Sequence, residues 1–244
     1  MSCLVEKFSY YIDLDETERR QLELLEKSDQ HYKKGNIVYD QDTRTENIYV
    51  VKSGWLISYS HLNDGGRLVM NIHFPGDIVG IHSIPFEKSA DGLMAIKPAT
   101  LCPFPKSGLR DVFTRTPRLA ALIFAAGMQD HIVLHDRLKA IGRMAGENRI
   151  ALLLLQIQAR LKITNPNTTD SFEMPLSQEI IGDALGITPV YVNRMLRQLQ
   201  NDGWISYQKP SLTLLNSKGL KIRCDFKDRY YQLDTEWLKS NQKH

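Results

Sequence analysis

At 244 residues the chain is long enough for two ordinary domains, and 42% hydrophobic with 24% charged residues is the balance of a soluble globular protein. The longest apolar runs, such as Ile150 to Leu155, fall far short of the ~20 residues that cross a bilayer. The start, Met1 to Tyr10, has no cationic stretch followed by an apolar one, so neither secretion nor a membrane is expected and a cytoplasmic location is. The net charge of +3 conceals a split: residues 1–142 carry 17 basic against 18 acidic side chains, and residues 143–244 carry 14 against 10. A basic second half supports nucleic-acid binding only beside a motif.

From Lys33 to about Pro105, short β-rich runs alternate with Gly- and Asp-containing turns. The runs are Asn36 to Tyr39, Asn47 to Val51, Gly54 to Tyr59, Arg67 to Phe74 and Gly92 to Ile96. Such short, regularly punctuated strands predict a β-sandwich or barrel. Asn63-Asp64-Gly65-Gly66 is the sharpest hairpin signal, because Gly and Asn/Asp accept the positive φ of tight turns. After Pro117 the stretch to Ile141 contains no further Pro and one Gly, with Leu119, Leu122, Ile123, Ala126, Ile132, Val133, Leu138 and Ile141 at helical spacing. A helix of six or seven turns is predicted there, interrupted near Gly142, with a second helix through Arg149-Ile150 to Leu161. Apolar residues on more than one side leave two readings open: packing on the chain's own barrel, or one stripe on the barrel and another on the same helix of a second copy. Asn165 to Ser171 is a polar loop by composition, and no strand is predicted between Pro117 and about Trp204.

Leu176 to Gln200 carries the most specific signal. Ser177 is a good N-cap, and Gly186 suits a helix terminus with positive φ. Thr188 caps the next helix and Pro189 fits its first turn. Gly182 stands where two helices must come close, while Ile181, Leu185, Val192, Met195, Leu196 and Leu199 form a buried side. The second helix then exposes Val190, Tyr191, Asn193, Arg194, Arg197 and Gln198, a face with two arginines, amides and no acid. Arginine pairs bidentately with guanine and amides pair with adenine, so this face suits a DNA major groove. Trp204 to Tyr207, a turn at Gln208 to Ser211, and Leu212 to Leu215 add a wing, with Lys209 placed to touch phosphate. A helix-turn-helix of this kind expects double-stranded DNA as partner and a second copy of the chain, since paired half-sites mirror a two-fold axis.

With these motifs the chain resembles the CRP/FNR family of bacterial transcription regulators from about residue 10 to 220. The C-terminal motif carries the likeness, joined by Lys34-Gly35, Tyr49 to Gly54, Asp64 to Arg67 and Phe74-Pro75-Gly76-Asp77-Ile78-Val79-Gly80. The resemblance implies an α+β architecture: a cyclic-nucleotide-binding-like β jelly roll over 1–116, a long dimerisation helix over 117–142, a winged helix-turn-helix over 143–220 and an extension over 221–244. It places a phosphate contact at Gln178, a guanine contact at Arg194, further DNA contacts among Thr188, Val190, Tyr191, Asn193 and Arg197, and an effector pocket around Gly76, Asp77, Gly80, Ile81, His82, Lys88 and Ser89. For an activator it further implies RNA polymerase as a partner.

Departures from the family narrow this. Members that bind cyclic AMP carry a Glu after the glycine corresponding to Gly80 and an Arg near the end of that loop. Here Ile81 and Lys88 stand instead, and a lysine is a point charge rather than a fork. Iron–sulfur members carry a cysteine-rich N-terminus, whereas this chain has Cys3, Cys102 and Cys224 widely spaced. Neither cofactor is expected, and the thiols read as reduced and incidental. Arg194 matches the family's guanine-reading arginine, but Val190 replaces an acid that many members use on cytosine. The competing reading is a cupin-like small-molecule or metal-dependent protein. It needs a close His/His/Glu cluster, and His61, His73 and His82 form no HxH pair and have no Glu between Glu46 and Glu87. No nucleophile and base pair is visible either, so the chain is read as a non-enzyme without a metal site.

Overall fold

The computed structural model describes residues 2–165, 167–230 and 233–238, and falls into two compact units. The described residues of the first lie in Met1–Leu56, His73–His131 and Gln232–His244, and those of the second in Ile57–Ile72 and Ile132–Tyr231.

The chain opens with helices α1 (Cys3–Ser9) and α2 (Glu16–Leu25). Asp15 closes a capping box at the start of α2, its carboxylate accepting from Glu18 N at 2.8 Å while Glu18 returns the favour to Asp15 N. The strands follow as β1 (Gln30–Tyr32), β2 (Ile37–Tyr39), β3 (Asn47–Ser53), β4 (Leu56–His61), β5 (Arg67–His73), β6 (Ile78–Val79), β7 (Gly92–Ala95) and β8 (Ala99–Pro105), then helix α3 (Lys106–Arg115). They form two four-stranded sheets ordered β1-β8-β3-β6 and β2-β7-β4-β5, the expected jelly roll. Strand β3 is buried on both faces, and its alternation divides two cores. Ile48 and Val50 face a layer with Leu4, Phe8, Leu22 and Leu122, whereas Tyr49 and Val51 face Leu56, Leu93 and Leu101. The hairpin predicted at Asn63 to Gly66 forms, with Gly65 at φ 84° and Leu62 N donating to Gly66 O.

Helix α4 (Pro117–Arg143) follows, then α5 (Gly146–Thr164). Gly142 lies inside α4, and the interruption expected near it falls two residues further on, at Met144 and Ala145. Ala145 has extended backbone (φ −63°, ψ 154°), and Arg149 Nε donates to Met144 O at 2.9 Å, holding the bend. Helix α5 is buried on all sides from Ile150 to Arg160, and the amide nitrogens of its glutamines are held: Gln158 Nε2 donates to Asp170 Oδ1 at 2.6 Å, and Gln156 Nε2 donates to Tyr230 Oη at 3.0 Å. The second unit continues through β9 (Ser171–Glu173), α6 (Gln178–Leu185), α7 (Pro189–Asn201), β10 (Ile205–Gln208), β11 (Ser211–Leu214) and α8 (Ser217–Arg223). Strand β9 corrects the expectation of none before Trp204. Its three residues pair with β11, Phe172 opposite Leu212, and complete a sheet ordered β10-β11-β9.

The stretch beyond residue 220 is not merely peripheral. Helix α8 packs on α5, and Tyr230 is fully buried, its hydroxyl donating to Asp136 Oδ2 at 2.7 Å. Trp237 is exposed, and Tyr231 and Gln232 lie outside the described residues. Cys102 and Cys224 are buried thiols. Burial and the Asp29 carboxylate push Cys102 up to about 12, and burial pushes Cys224 up to about 11.

Candidate nucleic-acid interface

The two helices of the motif start and stop where their residues require. Ser177 Oγ accepts from Ile180 N at 3.1 Å, and Gly186 ends α6 at φ 64°, a conformation costly for a residue with a Cβ. Between them, Gly182 makes the turn possible: a Cβ there would sit 2.5 Å from the carbonyl oxygen of Ile187, whose own N–H donates to Gly182 O at 3.1 Å. Thr188 Oγ1 accepts from Tyr191 N at 3.3 Å and Pro189 opens α7. Val192, Met195, Leu196 and Leu199 are buried, as the periodicity requires, and α7 packs on both α5 and α6.

The opposite face of α7 is free. Val190 is 81% exposed, and Arg194, Arg197 and Gln198 are exposed beside it. With half-buried Gln178 and Asn193 they line one shallow depression. Two sequence expectations are corrected. Tyr191 is only half-buried rather than free, because its ring lies against Gly146, and it carries the Arg194 guanidinium 4.7 Å above its centroid. The depression is also not free of acid: Asp202, the C-cap of α7, lies on its rim with Asn201, a residue the sequence reading passed over because it follows the last apolar position. Lys209 is exposed in the turn joining β10 and β11.

Comparison with known proteins agrees with this architecture at both ends. Residues 148–223 match the Crp-like helix-turn-helix domain, and residues 29–116 match the cyclic nucleotide-binding domain. The chain belongs to the CRP/FNR family of DNA-binding transcription regulators. Among its relatives, the nitrogen fixation regulation protein FixK of Bradyrhizobium diazoefficiens is 27% identical over 88% of this chain and 89% of that one. The transcriptional regulatory protein btr of Bordetella pertussis is 24% identical over 90% of each. The solved structure of FixK2 from Bradyrhizobium japonicum superposes with a TM-score of 0.72 at 26% identity, covering 80% of this chain and 96% of that one. Regulators of this family are not enzymes. No described helix is long and apolar enough to cross a membrane, and no group of three or more His, Cys, Asp or Glu side chains that could hold a metal occurs among the described residues.

In this CRP/FNR regulator the expected effector loop is largely spent on its own fold. Gly76 and Gly80 have φ of 86° and 96° and shape the turns. Asp77 is buried. Lys7 Nζ binds its Oδ1 at 2.7 Å, and its Oδ2 accepts from Phe74 N at 2.9 Å. Ser89 is buried and donates to Asp40 O at 2.8 Å. Ile81 packs half-buried against the core of Phe8 and Leu22. His82 Nε2 lies 2.9 Å from Asp91 Oδ1, a hydrogen bond that raises its pKa against the opposing effect of burial. Lys88 is exposed, and its backbone pairs with that of Arg44 in antiparallel fashion. The polar atoms of Asp77 and Ser89 are thus engaged by partners 70 and 49 residues away in the chain.

Proposed function

We propose that this regulator acts in the cytoplasm as a homodimer, α4 against α4, which sets two α7 helices about 34 Å apart in successive major grooves of a near-palindromic operator. The surface of α4 supports the dimer. Its buried stripe, Leu119, Leu122, Ile123, Val133 and Ala140, satisfies its own chain. A second stripe of Phe124, Met128, His131, His135 and Leu138 advances in steps of four, three, four and three, the spacing of a coiled-coil seam. Phe124 is 60% and Leu138 70% exposed in the single chain, so both of the packing readings apply, each to a different stripe.

The free face of α7 carries the reading of DNA. In this assignment Arg194, braced on Tyr191, pairs with guanine. Asn193 offers an amide to adenine, Val190 packs on a thymine methyl, and Arg197, Gln178, Thr188 and Lys209 hold phosphates. Val190 cannot accept from cytosine, so the preferred half-site differs from that of relatives with an acid there. The jelly roll has no fork for a cyclic phosphate in its 87–91 segment, and Ile81 is committed to the core. Control therefore rests on dimer abundance or on an effector of other chemistry, and an activating role would add RNA polymerase as a partner. Selection of bound fragments from random DNA, followed by gel-shift titration, tests the reading. A symmetric site bound by dimers and lost on Arg194→Ala is expected; binding indifferent to Arg194→Ala, or by monomers only, overturns it.

A further inference from the structure

The second unit contains a contact that the helix-turn-helix motif does not require. Arg67, the first residue of β5 and next to the turn of the β4–β5 hairpin, places Nη2 2.7 Å and Nε 2.8 Å from Asp183 Oδ2, with Nη2 also 3.3 Å from Glu179 Oε1. Both carboxylates are on α6, one turn apart. The arginine and Asp183 are each about four-fifths buried (21% exposed), so this pair is desolvated further than an ordinary surface ion pair.

The hairpin that presents Arg67 is itself anchored. Arg137 Nη1 donates to the carbonyls of Val69 and Met70 at 3.3 and 3.0 Å. Arg160 Nη1 donates to Asn71 Oδ1 and the Ile72 carbonyl at 2.9 and 2.8 Å. Four consecutive residues of β5 are thus tied to α4 and α5, and Arg67 reaches α6 from a fixed platform. It approaches α6 on the flank formed by Glu179 and Asp183, while Val190, Arg194 and Arg197 remain exposed with the contact made. The contact therefore leaves the recognition face open, which is what a brace does and a blocking latch does not.

We propose that Arg67 is a positioning residue for DNA binding: it fixes α6, and with it Gln178 at the helix start, and it neutralises two carboxylates that would otherwise face the phosphate backbone. Unopposed, Glu179 and Asp183 would set two negative charges within a turn or two of Gln178, inside the ~10 Å over which charges act at 0.1 M salt. The hairpin of the jelly roll is by this account a working part of the DNA-binding machinery.

The test uses full-length dimer and a selected operator in an anisotropy titration at about 0.1 and 0.4 M salt. Arg67→Ala is expected to weaken binding about tenfold at the lower salt and by less at the higher, with the base preference unchanged. Arg67→Lys should recover part of the loss. The exchange Arg67→Asp with Asp183→Arg should recover most of it, which a merely structural role for the arginine stem would not do, and it keeps the test decisive if Arg67→Ala folds poorly. Equal binding by wild type and Arg67→Ala, tighter binding by Arg67→Ala, or an exchange variant as weak as the single variants would overturn the assignment while leaving the operator reading intact. Wild-type protein that selects no DNA would overturn both.

Discussion

Replacing Gly182 by alanine isolates the step on which the DNA-binding face depends. A methyl group there would lie 2.5 Å from Ile187 O and 3.6 Å from Pro189 N. The oxygen belongs to the backbone of the turn itself, so relief requires the turn to move by roughly 0.7 Å rather than a side chain to rotate. Overpacking of this kind costs about 1–3 kcal/mol, while exchanging glycine for alanine in a helix returns up to about 1. The net expectation is a loss of about 1–2 kcal/mol, roughly 5–15 °C in the melting of a unit of this size. Because the same turn fixes α7 against α6, operator affinity should fall more than stability alone predicts at a temperature where the variant is folded. Gly127→Ala is the control: this glycine is also helical, nothing lies within 4 Å of its Cβ position, and the exchange should be neutral or stabilising. Calorimetry and anisotropy on both variants supply the readings. A Gly182→Ala protein as stable as wild type, with unchanged affinity, would refute the argument.

Other substitutions probe the remaining parts. Leu138→Asp places a charge in the α4 seam and should convert the dimer to monomers in light-scattering chromatography; an unchanged dimer would remove the seam from consideration. Arg194→Ala should cost about 1–3 kcal/mol and relax discrimination at one base, whereas Lys209→Ala should weaken all sequences alike and reduce the salt slope by about one. His82 is held above its ordinary value by Asp91, so its contribution to stability is complete below pH ~6.5 and fades as pH rises through the raised value. The side chain is half exposed, which keeps the effect below about 1 kcal/mol. Chemical denaturation between pH 6 and 8 should show a decline that His82→Gln flattens; parallel profiles would contradict it.

The residues legible in the sequence are those whose work is local. Ser177, Gly186, Thr188 and Pro189 each satisfy or shape backbone within four positions, so their identities announce the helix ends directly. The less legible residues answer to distant parts of the chain. Tyr191 looks exposed on a helical wheel until Gly146, 45 positions earlier, is found beneath it. Asp77 looks like any loop acid until Lys7 is found paired with it. Strand β9 is too short for alternation to register and exists because β11 offers an edge. Arg67 closes the Asp64 to Arg67 turn motif, but nothing in that motif announces its contact, which lies with two carboxylates more than 110 residues further along.

The buried thiols make the protein convenient to label. Burial raises the pKa of both Cys102 and Cys224, which disfavours the reactive thiolate at neutral pH, and neither sulfur is open to reagent. Cys3, half-buried and also shifted upward, is the remaining thiol. Once Cys3 is exchanged for serine, a single cysteine introduced at Gln198 can carry a spin label or a fluorophore on an otherwise silent background. Distances between the two recognition helices then become measurable, with and without DNA, in a protein whose native chemistry needs no other alteration.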